Sequence, residues 1–314
     1  VEKVNAGWRQ IMVPDASGAD RFPAIVCYPT ADPETPRRLG PYAVCAAWDA
    51  SPLSGEHPLV MLSHGSGSSP LVNRDLALSL ARAGFVVGMP VHAGDNRDDR
   101  RLQGTLENLQ QRPLHLQLAT NALLGDPALY PADPPRRVAL IGHSLGAYTA
   151  LALAGGEPRT LATSSPGGAT DRIAVAHDPR VSALVLLAPA TVWFHAPGSL
   201  DRVRAPILIL AGTQDTVTPS SHHADLVARQ MPPSASLDYR QVAGAGHFSF
   251  LSVFPPEMQQ PGFAPAQDPP DFDRAAFQHQ LAAAIVSFLR GAALAERHDH
   301  EFTPSSPAHG ARED

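Results

Sequence analysis

Short apolar runs separated by turn formers recur along the chain, and their periods alternate between that of a strand and that of a helix. Gly7 to Val13 and Phe22 to Tyr28 gather apolar residues between turn formers and predict a pair of early strands, antiparallel to each other. Leu59-Val60-Met61-Leu62 predicts a third strand and Phe85 to Met89 a fourth, both without polar positions. Between them the leucine spacing from Asn73 to Arg82 predicts a helix, with Gly84 as its stop. A helix is expected from Leu114 to Leu124, begun just after Pro113, and another from Leu145 to Ala154 behind the strand Arg137 to Ile141. Strands Val181 to Leu187 and Pro206 to Leu210, a helix near Ser221 to Gln230, a strand around Leu237 to Val242 and a terminal helix over Phe272 to Leu289 complete the pattern. Strands lacking polar positions that alternate with helices imply an α/β protein, a mostly parallel sheet covered by helices on both faces.

Aperiodic stretches set the expected boundaries. Pro29 to Pro58 reads as a long connection, and Pro255 to Pro270 as a Pro-rich surface excursion. The expectation is one domain over 1–294 with loop insertions near 29–58, 97–112 and 255–270, then a flexible tail over 295–314. Within the middle insertion, Asp95-Asn96-Arg97-Asp98-Asp99-Arg100 reads as a solvated loop with local ion pairs near a site rim.

With 44% hydrophobic and 17% charged residues among 314, the composition is globular. No apolar run approaches the roughly 18 residues of a membrane span. A net charge of -6 leaves no basic surface for nucleic acid. Cys27 and Cys45 are too few for a disulfide framework; one bridge and two small buried hydrophobes both remain open. The chain opens at Val1 without a charged-then-apolar leader, so a signal segment is expected to be removed or absent. The compartment stays open, a periplasmic or secreted one included, as does the oligomeric state.

The candidate chemistry centres on Gly142-His143-Ser144-Leu145-Gly146, where a strand gives way to a helix of small residues. A chain with 24 Gly can produce this pattern by chance, so its context decides. A serine on a sharp strand-to-helix turn needs nearly side-chain-free positions two residues away on either side, and strand, turn and helix arrive here in the required order. Serine attacks only when a base takes its proton and an acid orients the base. In the architecture that uses this turn, acid and base follow in the order Asp then His, each after a strand. Asp215, after the strand ending at Leu210, and His247, in Gly244-Ala245-Gly246-His247-Phe248, are the nominees. Asp215 before Thr218-Pro219 also suits a helix cap or Asx turn, and His247 a turn.

Acyl transfer further needs two amides aimed at the developing oxyanion. Leu145, opening the helix, is expected to supply one. Ser66 in His64-Gly65-Ser66-Gly67 is expected to supply the other, with Gly67 as the alternative. A phosphate-cradling loop is excluded because no Lys follows and the Walker spacing is absent. His64, Trp193, Phe194 and Phe248 are candidates for the substrate pocket, the aromatic pair being equally suited to the core. His222-His223 and His298-x-His300 lack the spacing of a zinc site, so no metal is expected.

Leu62-Ser63-His64-Gly65, Gly142 to Gly146, Gln214-Asp215-Thr216-Val217-Thr218-Pro219 and Gly246-His247-Phe248-Ser249-Phe250-Leu251 together resemble the dienelactone hydrolase-like and platelet-activating-factor acetylhydrolase-like branch of α/β-hydrolases. The likeness spans most of the chain, from Gly7-Trp8-Arg9 and Tyr28-Pro29-Thr30 to Phe272-Asp273-Arg274. It implies an α/β-hydrolase fold and a serine carboxylesterase acting on small-molecule esters with short acyl groups, without metal or organic cofactor. Dienelactone hydrolases proper carry cysteine where this chain has Ser144. An amidase or acyltransferase would use the same triad, and a non-catalytic binding protein of this fold is the remaining alternative.

Overall fold

The computed structural model describes residues 4–162 and 170–301, the side chains of 293–301 apart. Strands β1 (Asn5–Pro14) and β2 (Arg21–Thr30) pair antiparallel, with Asn5 opposite Thr30 and Pro14 opposite Arg21. The expected long connection holds a hairpin. There β3 (Thr35–Leu39) and β4 (Tyr42–Trp48) pair antiparallel about Gly40, whose φ of +57° a side chain would resist. Tyr42, Val44 and Ala46 turn inward while Ala43 and Cys45 face out, a strand alternation that neighbouring prolines and arginines obscured. Pro36 is tolerated because β3 is the edge strand.

The remaining strands are β5 (Leu59–Ser63), β6 (Val86–Pro90), β7 (Val138–His143), β8 (Val181–Leu187), β9 (Ile207–Gly212) and β10 (Leu237–Val242). They are mutually parallel, and the sheet runs β10-β9-β8-β7-β5-β6-β2-β1-β4-β3. The helices are α1 (Arg74–Arg82), α2 (Leu106–Leu124), α3 (Leu145–Leu153), α4 (Ala224–Gln230) and α5 (Arg274–Glu301). Because successive strand side chains point to opposite faces, Leu59 and Met61 join a core with α2, α3 and α4, while Val60 and Leu62 join a second core with α1 and α5. Both faces are thereby covered, which explains why β5 tolerates no polar side chain before Ser63.

Two expected boundaries shift. Helix α2 starts at Leu106, ahead of Pro113, because Thr105 caps it: its Oγ1 accepts the Asn108 amide at 3.1 Å. Pro113 has no N–H for the Leu109 carbonyl four residues earlier, and the Tyr148 hydroxyl donates to that carbonyl at 3.0 Å instead. The helix therefore passes through the proline just after which the sequence pattern places its start. Helix α5 runs to Glu301, beyond the expected domain limit at 294; 302–314 lie outside the described residues.

Both cysteines are free, Cys27 buried in β2 and Cys45 exposed on β4, so neither the bridge nor the pair of buried hydrophobes describes them. Among the described residues no helix is long and apolar enough to cross a membrane. From β5 the chain passes through α1 to β6 on one side, then through α2 to β7 on the other side of β5. This reversal makes the carboxyl ends of β5 and β7 a topological switch point, the position where open α/β sheets bind ligands.

Candidate active site

Ser144 follows β7 directly and is held at φ 53° and ψ -120°, a conformation strained for a residue with a side chain. Its amide donates to the Leu187 carbonyl on β8 at 3.0 Å, and its carbonyl accepts from Ala190 at 3.0 Å. Gly142 and Gly146 make the turn possible. A Cβ on Gly142 would stand 2.2 Å from the Gly146 carbonyl oxygen, and one on Gly146 1.9 Å from that of Ser63.

The Ser144 hydroxyl lies 3.0 Å from His247 Nε2, and His247 Nδ1 lies 2.9 Å from Asp215 Oδ2. Asp215 stands on the turn after β9 and His247 on the loop after β10. Gly212 lets the two loops touch, since a Cβ there would meet the Ala245 carbonyl at 2.2 Å. Asp215 Oδ1 accepts the amides of Val217 at 2.9 Å and Thr218 at 2.7 Å, so the carboxylate forms an Asx turn with one oxygen and faces the imidazole with the other. The Asx turn and the contact to the imidazole therefore coexist on one carboxylate.

Thr218, which the sequence pattern alone does not single out, joins this contact. Its Oγ1 lies 2.8 Å from Asp215 Oδ2, 3.0 Å from His247 Nδ1 and 3.2 Å from the Ala188 carbonyl. Burial alone would raise the Asp215 carboxyl; the His247 and Thr218 hydrogen bonds outweigh it and hold the group at about 2. The Asp215 carboxyl is therefore ionised at neutral pH. His143 was also missed. It is fully enclosed, its imidazole ring centre is 5.0 Å from that of His247, and its Nε2 donates to the His247 carbonyl at 2.9 Å.

The loop after β5 packs beside the serine: a Cβ on Gly65 would stand 3.3 Å from the Ser144 Cβ. The Gly67 amide donates to Asp95 Oδ1 at 2.7 Å, which removes it as a free donor and leaves Ser66 as the candidate. Leu145 is the first residue of α3, where amides have no partner within the helix. Asp95, expected in a solvated loop, is wholly buried against Arg112, with 2.8 Å between Oδ2 and Nη1. Within that stretch Arg97–Asp98 forms an exposed local pair, and Asp99 pairs with Arg101 just beyond it. Arg112 escaped notice because α2 was expected to begin after it; Thr105 as a cap was the signal available.

The pocket candidates divide. His64 is fully buried: its Nδ1 lies 2.7 Å from the Gly65 carbonyl and its Nε2 accepts the His92 amide at 3.3 Å, which fixes a neutral tautomer. Phe194 is likewise fully buried, its ring 5.5 Å from Tyr148, and belongs to the core. Both are thus corrected from pocket to interior, since a β-strand end and a packed turn leave them no open face. Trp193 is half-buried against Tyr148, and Phe248 half-buried with its ring 4.9 Å from the His247 ring. His223 accepts the Thr191 amide on Nδ1 at 3.0 Å, which ties α4 to the turn after β8. His298 and His300 fall where side chains are not described, and no group of three or more metal-ligating residues occurs among the described ones. A cavity of about 570 Å³ between Pro58, Tyr130, Arg137 and Leu289 opens at the amino ends of the strands, and neither Ser144, Asp215 nor His247 lines it.

No family model matches the chain. It is 29% identical over 147 residues to Cutinase 2 of Thermobifida cellulosilytica and to Cutinase cut1 of Thermobifida fusca, 46% of this chain and 47% and 38% of those proteins. An uncharacterized protein of Mycobacterium tuberculosis is 28% identical over 197 residues, 62% of this chain and 64% of its own. The chain thus spans less than half the length of the cutinases it matches. Among solved structures, a ferulic acid esterase from Streptomyces cinnamoneus superposes with a TM-score of 0.66 at 18% identity, covering 91% of this chain and 89% of its own. The fold is the α/β-hydrolase fold expected from the sequence. The dienelactone hydrolase-like branch finds no counterpart in these relatives.

Proposed function

We propose that the chain is a serine hydrolase that cleaves carboxylic esters with short acyl groups through Ser144, His247 and Asp215. One observation carries this reading: a serine on a strained strand-to-helix turn lies 3.0 Å from an imidazole whose other nitrogen is 2.9 Å from a buried carboxylate. The matches to cutinases and to an esterase fold support ester rather than other acyl substrates.

His247 Nε2 takes the proton from Ser144 Oγ as the oxygen attacks the ester carbonyl carbon. Asp215 orients the ring so that Nδ1 carries a proton and Nε2 is free to accept one. The tetrahedral oxyanion rests on the amides of Leu145 and Ser66. Collapse expels the alkoxide, which takes the proton from His247 and leaves as the alcohol, with the acyl group on Ser144. Water then attacks the acyl carbon and gives a proton to His247. The acid departs as Ser144 Oγ recovers that proton.

Ser144→Ala should abolish hydrolysis of p-nitrophenyl acetate while leaving the circular dichroism and melting of the protein intact. Turnover at the wild-type rate in that variant sinks the assignment. An ester series from acetate to laurate should show the highest kcat/KM at the short end; a maximum at laurate overturns the short-acyl part alone.

A further inference from the structure

Behind the loop that carries Ser66 lies a polar cluster that the ester reading leaves unused. Asp95 Oδ1 accepts from Ser66 Oγ at 2.8 Å and from the Gly67 amide at 2.7 Å; its Oδ2 accepts from Asn108 Nδ2 and Arg112 Nη1, each at 2.8 Å. Arg112 also donates through Nη2 to the His64 carbonyl and through Nε to Thr149 Oγ1 at 3.0 Å. Thr149 Oγ1 in turn donates to the Leu145 carbonyl at 3.0 Å. Both charged side chains are wholly buried.

We propose that the Asp95–Arg112 pair is the positioning device of the oxyanion site, fixing the Ser66 amide relative to the Leu145 amide; this rests on the ester-hydrolase reading above. The pair grips the loop on both sides of the Gly65–Ser66 peptide, at the His64 carbonyl before it and at Ser66 Oγ and the Gly67 amide after it. Through Thr149 the same guanidinium reaches the first turn of α3, which begins with the second donor. Two amides supplied by different elements, one after β5 and one after β7, are thus set by a single ion pair. Burying that pair gives weak stabilisation at best, because desolvation offsets the mutual attraction. What it supplies is geometry, and geometry is what an oxyanion site requires, since preorganised donors act without reorganising during the reaction.

Asp95→Asn tests this, because an amide nitrogen in place of one carboxylate oxygen meets the donors of Asn108, Arg112 or Gly67. Turnover of p-nitrophenyl acetate is measured per active site, counted by stoichiometric fluorophosphonate labelling, so that a smaller folded fraction does not enter. The expected result is a kcat lower by about tenfold or more with KM within about threefold, since losing an oxyanion donor outright costs about 100-fold or more. Affinity for a trifluoromethyl ketone, which forms a hemiketal oxyanion on the serine, should fall in parallel. Wild-type kcat per labelled site in folded Asp95→Asn overturns the proposal. If that variant does not fold, Ser66→Ala takes its place, removing one bond to Asp95 while keeping the amide; a reduced kcat at unchanged KM and melting temperature supports the proposal, and an unchanged kcat overturns it.

Should the wild-type protein neither turn over esters nor label, the ester reading has failed on its own. Hydrogen exchange at the Ser66 and Gly67 amides then decides the positioning claim without activity. Faster exchange there in Asp95→Asn, with the rest of the sheet unchanged, supports it, and unchanged exchange overturns it.

Discussion

The imidazole of His143 donates from Nε2 to the main-chain carbonyl of His247 at 2.9 Å, so the residue before Ser144 holds the loop that carries His247. The donor is neutral, because burial and the neighbouring His247 push its pKa down to about 3. His143→Leu should lower kcat by about 10- to 100-fold, the range expected when a reacting group is misplaced by about an ångström. His143→Gln, which keeps a donor, should recover most of that loss. Steady-state kinetics on both variants check this; equal activities would show that the bond does not position His247.

Thr218 and Asp215 form the next pair. Burial tends to raise the Asp215 carboxyl, and the bonds from His247 and Thr218 outweigh it, giving about 2 against an ordinary 3.8. A carboxyl depressed on folding contributes stability that is present above 3.8 and lost as pH falls towards 2. Thr218→Val deletes one of those bonds while the amides of Val217 and of residue 218 still reach Oδ1. The carboxyl should then titrate closer to 3.8, read by carboxyl carbon NMR on labelled protein. An unmoved titration would mean that the hydroxyl donates to the Ala188 carbonyl instead.

Buried histidines give the protein a second acid sensitivity of the same sign, in a higher pH window. Burial, helped by the charge of Arg112, pushes His64 to about 3 and His115 to about 4, and His143 stands at about 3, against an ordinary 6.5. Unfolded, these groups take up protons near 6.5; folded, they do so only near 3 to 4, so unfolding absorbs protons and stability falls as pH drops through that window. Each contributes a slope of up to about 1.4 kcal/mol per pH unit. His115→Leu should remove one proton from the uptake, flattening the pH dependence of urea unfolding between pH 7 and 5, and an unchanged slope contradicts the assignment.

Two glycines should respond in opposite directions to the same substitution. Gly146→Ala puts a Cβ 1.9 Å from the Ser63 carbonyl oxygen, where only backbone can move, and should prevent accumulation of folded protein. Gly291→Ala places a Cβ in open space on the exposed face of α5 and should stabilise by about 0.5–1 kcal/mol through helix propensity. Thermal and urea melts compare the two; a destabilised Gly291→Ala would mean that α5 ends before that residue.

The chain order of strands and helices other than the β3–β4 hairpin, the turn at Ser144 and the succession of Ser144, Asp215 and His247 were legible in the sequence. These are local signals: a buried strand shows as an apolar run, and a strained serine demands glycines two positions away. The α2 start was legible too, in Thr105, but Pro113 carried the stronger local signal and only Tyr148, from another helix, neutralises it. Tertiary structure alone decided what surrounds Ser144, Asp215 and His247. The Arg112 and Asp95 side chains lie 17 residues apart and look like solvated charges until two layers close over them. His143 and the His247 carbonyl are separated by 104 residues, and no local pattern couples a side chain to a distant main-chain oxygen. His64 and Phe194 looked like pocket lining for the same reason reversed: a residue's type tells what it can contact, while burial depends on which elements the fold stacks over it.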